Sequence, residues 1–170
     1  MFDTVDAVRQ AGFHGFTRVN DLIANRSSIP SARGIYLALY TGSAVPVFLA
    51  AGTAGCFARG NPNVPVARLQ ARWISGTPVI YIGQAGGTRG AKPSRHTLHS
   101  RISQYLDFGL GKDVRHWGGR LIWQIGQSMD LLLCWRPLMV HEQDPRSMET
   151  ALIRAFEASF GTLPFANLQH

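Results

Sequence analysis

Gly34-Ile35-Tyr36-Leu37-Ala38-Leu39-Tyr40 carries the strongest fold signal in the chain. Ile35, Leu37 and Leu39 alternate with Tyr36, Ala38 and Tyr40, the period-two pattern of a half-buried strand. A second such stretch follows at Val79-Ile80-Tyr81-Ile82-Gly83, with Ile80 and Ile82 on one face and Tyr81 and Gly83 on the other. Both strands are expected to turn isoleucine inward and tyrosine outward. Residues 121–125 and 131–135 are two more expected strands, joined by a turn near Gly126 to Asp130.

Helices are expected around these strands. Residues 2–10 and 18–25 suggest two short ones, the second capped near Asn20 or Asp21. A brief helix is expected over 65–73. A glycine-rich loop, residues 83–90, leads to a helix over about 94–108 with Leu98, Ile102, Tyr105 and Leu106 as its apolar stripe. Gly109 and Gly111 end it. Asp144-Pro145 opens a final helix that stops at Gly161, with aspartate as cap and proline as its first residue. The reading is an α+β fold: a small, mainly antiparallel sheet flanked by helices. The whole chain, 1–170, is expected to form a single domain, with an N-terminal helical extension over 1–30 and an insertion over 41–77.

Composition narrows the setting. The longest apolar run, near Leu131 to Cys134, suffices for a strand and not for a membrane span. The N-terminal MFDTVDAVRQ has early acids and no basic-then-apolar signal pattern. Cys56 and Cys134 are too few for a disulfide framework, so a cytoplasmic setting is expected. The net charge is +7, and its distribution points to a partner. Arg89, Lys92, Arg95, Arg101, Lys112, Arg115 and Arg120 fall in one segment, opposed only by Asp107 and Asp113. Such a run attracts polyanions, so these residues are candidate nucleic-acid contacts. His116, within Arg115-His116-Trp117-Gly118-Gly119-Arg120, joins them, because cations beside an aromatic ring suit backbone and base contacts, with a packed loop around a buried Trp117 as the alternative reading.

Two polar residues sit where apolar ones belong. On the last helix Leu152, Ile153, Phe156 and Phe160 form a stripe, and Glu149 falls in its middle. An ionised carboxylate buried without a partner costs several kcal/mol, so Glu149 should meet a cation or face a cleft. A helix-dipole interaction near the N-terminus is the plainer alternative. Arg101 borders the stripe of its own helix beside Leu98 and Tyr105, where a snorkelling or ion-paired arginine is the plainer reading.

Gly34-Ile35-Tyr36 and Tyr81-Ile82-Gly83 spell GIY and YIG. With Arg101 and Glu149 following in order, the chain resembles the GIY-YIG nuclease superfamily over residues 33–40 and 78–167. In that family two strands bear the tripeptides, an arginine follows on the next helix, a glutamate on a later one, and often an asparagine. Leu98-x-x-Arg101-Ile102-x-x-Tyr105 is similar to the arginine helix, and Glu149-x-x-Leu152-Ile153 to the glutamate helix. Asn167, after Pro164, is similar to the terminal asparagine.

The resemblance implies a metal-dependent endonuclease that hydrolyses phosphodiester bonds in DNA. Glu149 would hold Mg²⁺ or Mn²⁺, Arg101 would clamp a phosphate oxygen and Tyr36 would act as general base or position the water. Positive charge nearby would lower the Tyr36 pKa. Tyr81 would relay a hydrogen bond and Asn167 would buttress the pocket.

Two departures stand out. Tyr36 and Tyr81 lie 45 residues apart, farther than a short hairpin allows. The insertion between them could wrap DNA, cover the site or join two copies in a homodimer. Where restriction-type members often carry histidine, this chain has Tyr105, as some repair-type members do, so Tyr105 joins the candidate catalytic residues; if a histidine assists, His99 and His116 are the candidates, with an ordinary surface or structural role as the plainer reading of each. A nucleotide-binding loop built on Gly83, Gly86, Gly87 and Gly90 fails on spacing, since Lys92 is followed by Pro93. A catalytically silent nucleic-acid-binding module on the same fold is the remaining alternative.

Overall fold

The structure, a computed structural model, describes residues 1–56, 60–89, 92–114, 116 and 118–169, with only the backbone of Arg89 and Pro93. In chain order the helices are α1 (Val5–Gln10), α2 (Val19–Ala24), α3 (Val66–Arg72), α4 (Leu98–Gly109) and α5 (Pro145–Phe160). The strands are β1 (His14–Arg18), β2 (Gly34–Leu39), β3 (Val79–Ala85), β4 (Thr88–Arg89), β5 (Lys92–Pro93) and β6 (Leu132–Pro137). The architecture is α+β. Four strands form an antiparallel sheet in the order β1-β6-β2-β3, and β4 and β5 make a separate two-stranded ribbon.

The sheet is covered on both faces. Tyr36, Ala38 and Tyr81 pack with Ile102 and Tyr105 of α4, Leu22 of α2 and Leu69 of α3. Ile35, Leu37 and Ile82 pack on the other side with Val8 of α1 and with Ile153 and Phe156 of α5. This corrects the half-buried reading: every residue of β2 is buried, and the tyrosine face is as dry as the isoleucine face. A strand in the middle of a doubly covered sheet can alternate between two kinds of core rather than between core and water. Ile80 and Ile82 also part company. The register slips between Ala38 and Leu39, so Ile80 packs beside Tyr81 while Ile82 joins the opposite cluster.

Two other elements differ from expectation. Residues 121–125 are not a strand: Arg120–Gln124 form a 3₁₀ helix, and only Ile125 bridges to Phe48. The run is buried throughout, and a short apolar run has no periodicity that separates strand from helix. The N-terminal extension is not purely helical. Residues His14–Arg18 add β1 to the sheet edge against β6, around a bend at Gly15 and Phe16, both with positive φ. Thr4 caps α1, and Arg18 precedes α2 without a side-chain cap.

Hydrogen bonds then aim the two long helices. Thr97 and Ser100 form a capping box that opens α4, and the Leu98 N–H donates to the Ala32 carbonyl just ahead of β2. Gly34 lies so close beneath this junction that a Cβ would fall 2.3 Å from the Arg136 carbonyl oxygen. Arg33 donates to the carbonyls of Leu138, Met139 and Glu142, clamping the turn before α5. Asp144 caps α5 at the Arg146 N–H and accepts from the Thr88 N–H and hydroxyl, tying α5 to β4. Among the described residues no helix is long and apolar enough to cross a membrane.

Candidate active site

Tyr36 of β2 stands opposite Gly83 of β3, and its phenol lies over that glycine. A Cβ at Gly83 would sit 2.5 Å from Tyr36 Cζ, so the last residue of the YIG string is the floor on which the first tyrosine rests. Tyr81 lies alongside, with ring centroids 5.9 Å apart. From the far side the Tyr36 hydroxyl shares a hydrogen bond of 3.0 Å with His116 Nε2.

Arg101, on α4, and Glu149, one turn into α5, approach from helices on opposite faces of the sheet. Both bear electrostatically on Tyr36 and on Tyr81. Thus β2, β3, α4 and α5 each bring one of the four expected side chains to a single neighbourhood.

Burial governs the protonation states. The Tyr36 phenol is raised above the ordinary value, because desolvation outweighs the opposing Arg101 charge and the Tyr81 hydroxyl. That corrects the expectation of a phenol lowered by positive charge. Tyr81 and Tyr105 are held well above the phenol range, again chiefly by burial. His116 is pushed down to about 3 by burial and then by Arg101, so its ring is neutral at physiological pH. Glu149 is pushed up to about 7 by burial, although Arg146 and Arg101 pull the other way. Two arginines are therefore not enough to offset the desolvation of this carboxylate.

Beside this cluster opens a cleft of about 210 Å³, lined by Gln84, Gly86, Gly87, His96, Arg101 and Arg146 among others. Two guanidinium groups reach it. The phenols do not line it, being 1% exposed at Tyr36 and 6% at Tyr81. The expectation of outward tyrosines is thereby corrected: they lie under the covering residues. Gly118, for one, has its Cβ position 3.0 Å from the Tyr81 hydroxyl oxygen.

The other candidates divide. Asn167 is buried and spends its whole amide on β3, with Oδ1 accepting from the Ile82 N–H at 2.9 Å and Nδ2 donating to the Ile82 carbonyl at 2.8 Å. It fixes the strand edge next to Tyr81. Tyr105 is fully buried against Trp123 and His116, and its hydroxyl has no partner among the described residues.

His116 is no surface contact for nucleic acid. It is wholly buried against three tyrosines, an environment that a cation-rich sequence neighbourhood does not reveal. Lys112 is exposed but paired with Asp107, which also holds Arg26, at the end of α4 away from Arg95. Lys92 and Arg95 are exposed near the cleft, and Arg120 is half-buried by the 3₁₀ helix. The basic run is therefore contiguous in sequence and dispersed in space, because α4 separates its two halves by roughly 18 Å. Arg115, Trp117 and the side chain of Arg89 lie outside the described residues.

Arg146 is a cleft residue that the sequence reading missed. Its position three residues before Glu149 on one helix was the available signal.

Among the described residues no three His, Cys, Asp or Glu side chains gather into a metal cluster. A lone carboxylate still suits one class of ion. Mg²⁺ keeps most of its waters and takes one or two carboxylates plus substrate phosphates. Glu149 fits as such a shared ligand, since its burial leaves a charge that the arginines do not fully offset.

Comparison of the chain with protein-family models, with curated proteins and with solved structures returns no match.

Proposed function

We propose that this protein is a GIY-YIG-type endonuclease that hydrolyses phosphodiester bonds in nucleic acid, DNA first, with Tyr36, Tyr81, Arg101 and Glu149 as its centre. One observation carries the reading. Four polar side chains from four separate elements share one electrostatic neighbourhood beside a cleft that two arginines line.

Arg101 and Arg146 would bind the scissile phosphate and stabilise the charge that grows on its oxygens. Glu149 would hold a divalent cation, which supplies charge neutralisation at the phosphate and at the leaving oxygen. Tyr36 would orient the attacking water, its hydroxyl held in place by the neutral His116 ring, whose Nε2 lies 3.0 Å away. Tyr81 supports Tyr36, and Asn167 keeps Tyr81 in register. The setting we propose is reducing and cytoplasmic, in keeping with the free Cys56 and Cys134.

A silent nucleic-acid-binding module is favoured by a different observation, the near-complete burial of both phenols. Incubating plasmid and single-stranded DNA with Mg²⁺ or Mn²⁺ separates the two. Cleavage by wild type and none by Glu149→Ala supports the nuclease. Binding without cleavage supports the silent module, and equal cleavage by both proteins rejects the site.

A further inference from the structure

Helix α5 turns its two sides to different surroundings. Ile153 and Phe156 enter the core, and Glu149 stands in line with them at helical spacing. On the other side Gln143, Arg146, Ser147, Thr150, Ala151 and Arg154 bound an open groove of about 490 Å³. Ser147, Thr150, Ala151 and Arg154 stand three or four residues apart, so they make one stripe of the helix. Arg146, Ser147 and Arg154 are exposed along it.

Arg146 belongs to both hollows. It lines this groove, and it lines the cleft beside the tyrosines together with Arg101. The groove and the cleft therefore adjoin at one residue. Its charge also acts on Glu149, which ties that junction to the site.

The groove is walled by donors. Apart from Ala151, each lining residue carries a guanidinium, hydroxyl or amide group, and none is acidic. The acids that precede the helix are occupied elsewhere. Glu142 is held by Arg136 and the Met139 N–H, and Asp144 by Thr88 and the Arg146 N–H. Glu157, on the turn after Arg154, does not line the groove, and among the described residues no carboxylate forms an ion pair with Arg154. Such a wall fits a chain of phosphates, whose oxygens only accept. From Arg146 to Arg154 the helix axis advances about 12 Å. At about 3.4 Å of rise per nucleotide, that is roughly three to four phosphates.

We propose that the exposed face of α5, from Arg146 through Ser147 and Thr150 to Arg154, is the track along which a nucleic-acid strand leaves the cleft. Arg154 then binds a phosphate roughly three to four nucleotides from the one held at Arg146. The proposal rests on the nuclease reading for what happens in the cleft, and the grip on the helix is measured without cleavage. Binding of a fluorescein-labelled single strand and of a duplex is followed by anisotropy in EDTA across a salt series. The proteins are wild type, Arg154→Ala, Arg154→Lys and Arg18→Ala. Alanine suits an exposed helix position, so the first variant keeps the fold. Arg18→Ala is the control: it removes one exposed charge from β1, at the opposite edge of the sheet from β3, on which α5 packs.

Arg154→Ala is expected to weaken binding about threefold or more and to reduce the salt slope by about 0.7–0.9. Arg154→Lys restores most of the slope, and Arg18→Ala changes neither quantity. Cleavage of strands carrying one neutral methylphosphonate linkage then locates the contact. A neutral linkage roughly three to four nucleotides to one side of the cut should abolish the difference between wild type and Arg154→Ala, and one roughly ten nucleotides away should leave it.

Unchanged affinity and slope in Arg154→Ala overturn the proposal, as does an equal loss in Arg18→Ala or a methylphosphonate effect that is the same at every position. If Arg154→Ala weakens binding while wild type never cleaves, the track stands and the nuclease reading falls. If Glu149→Gln abolishes cleavage while Arg154→Ala binds normally, the reverse holds.

Discussion

Replacing Glu149 by glutamine should make this protein more stable and inactive, and the stability gain should depend on pH. The carboxyl is pushed from an ordinary 4.5 to about 7 by burial. A folded-state value above the unfolded one means that the folded chain prefers the protonated acid. Its contribution to stability is therefore full below pH 4.5 and is lost as pH rises to 7, after which the penalty is constant. The difference between the two values corresponds to about 3 kcal/mol. Partial exposure of the side chain trims this to about 2 kcal/mol. Glutamine has the shape of the protonated acid and never ionises, so it escapes the penalty.

At pH 8 Glu149→Gln should melt roughly 4–8 °C above wild type, given about 2–4 °C per kcal/mol for a chain of this size. At pH 4 the two should coincide. Thermal melts at the two pH values, without metal, make the measurement. A Glu149→Gln protein less stable than wild type at pH 8, or a gain that is the same at both pH values, would refute the reasoning. Either result would mean that the carboxylate is already satisfied in the fold.

Three other perturbations follow from the same geometry. Millimolar Mg²⁺ or Mn²⁺ at pH 8 should raise the melting temperature of wild type and leave Glu149→Gln unmoved, since Glu149 is the proposed ligand; differential scanning fluorimetry reads this directly. Gly83→Ala puts a Cβ 2.5 Å from Tyr36 Cζ in a packed interior. It should cost about 1–3 kcal/mol in urea denaturation, with loss of cleavage, whereas an unperturbed and active variant would mean Tyr36 has room to move. Asn167→Ala strips both hydrogen bonds from the Ile82 backbone at a buried edge, so about 2–3 kcal/mol of stability should go, with hydrogen exchange at Ile82 accelerated.

The parts of the fold that were legible in the sequence are those with a period. Tyr36 sits on a strand whose alternation is unbroken, and Tyr81 on one whose sequence alternates although a bulge interrupts it at Ile80. The helices of Arg101 and Glu149 carry an apolar stripe and, in α5, an Asp-Pro start that the structure uses as cap and first turn. The α+β class follows from these alone.

What was not legible depends on neighbours distant in sequence. His14–Arg18 has no alternation, because a bend at Gly15 and Phe16 breaks it and β6 supplies the pairing. The apolar run ending at Ile125 could have been strand or helix. Gln124 settles it by bonding the insertion, a partner some 60–75 residues away. The bulge that moves Ile80 to the tyrosine face is fixed by β2, not by the β3 sequence.

At the site, charge in sequence misled most. His116 sits in a basic run yet is buried against Tyr36, and Lys112 is consumed by Asp107. Arg146, three residues before Glu149, lay outside that run and reaches the cleft.

The central claim is that a phenol, a guanidinium and a carboxylate act as one unit on a phosphodiester. Single-turnover cleavage of end-labelled DNA by Tyr36→Phe, Arg101→Ala, Glu149→Gln and the three double variants measures this most directly. Groups acting as one unit are non-additive, so each single change should slow the reaction about a hundredfold or more, and the doubles should fall little further. Losses that multiply in the doubles, or single variants that cut as fast as wild type, would contradict it.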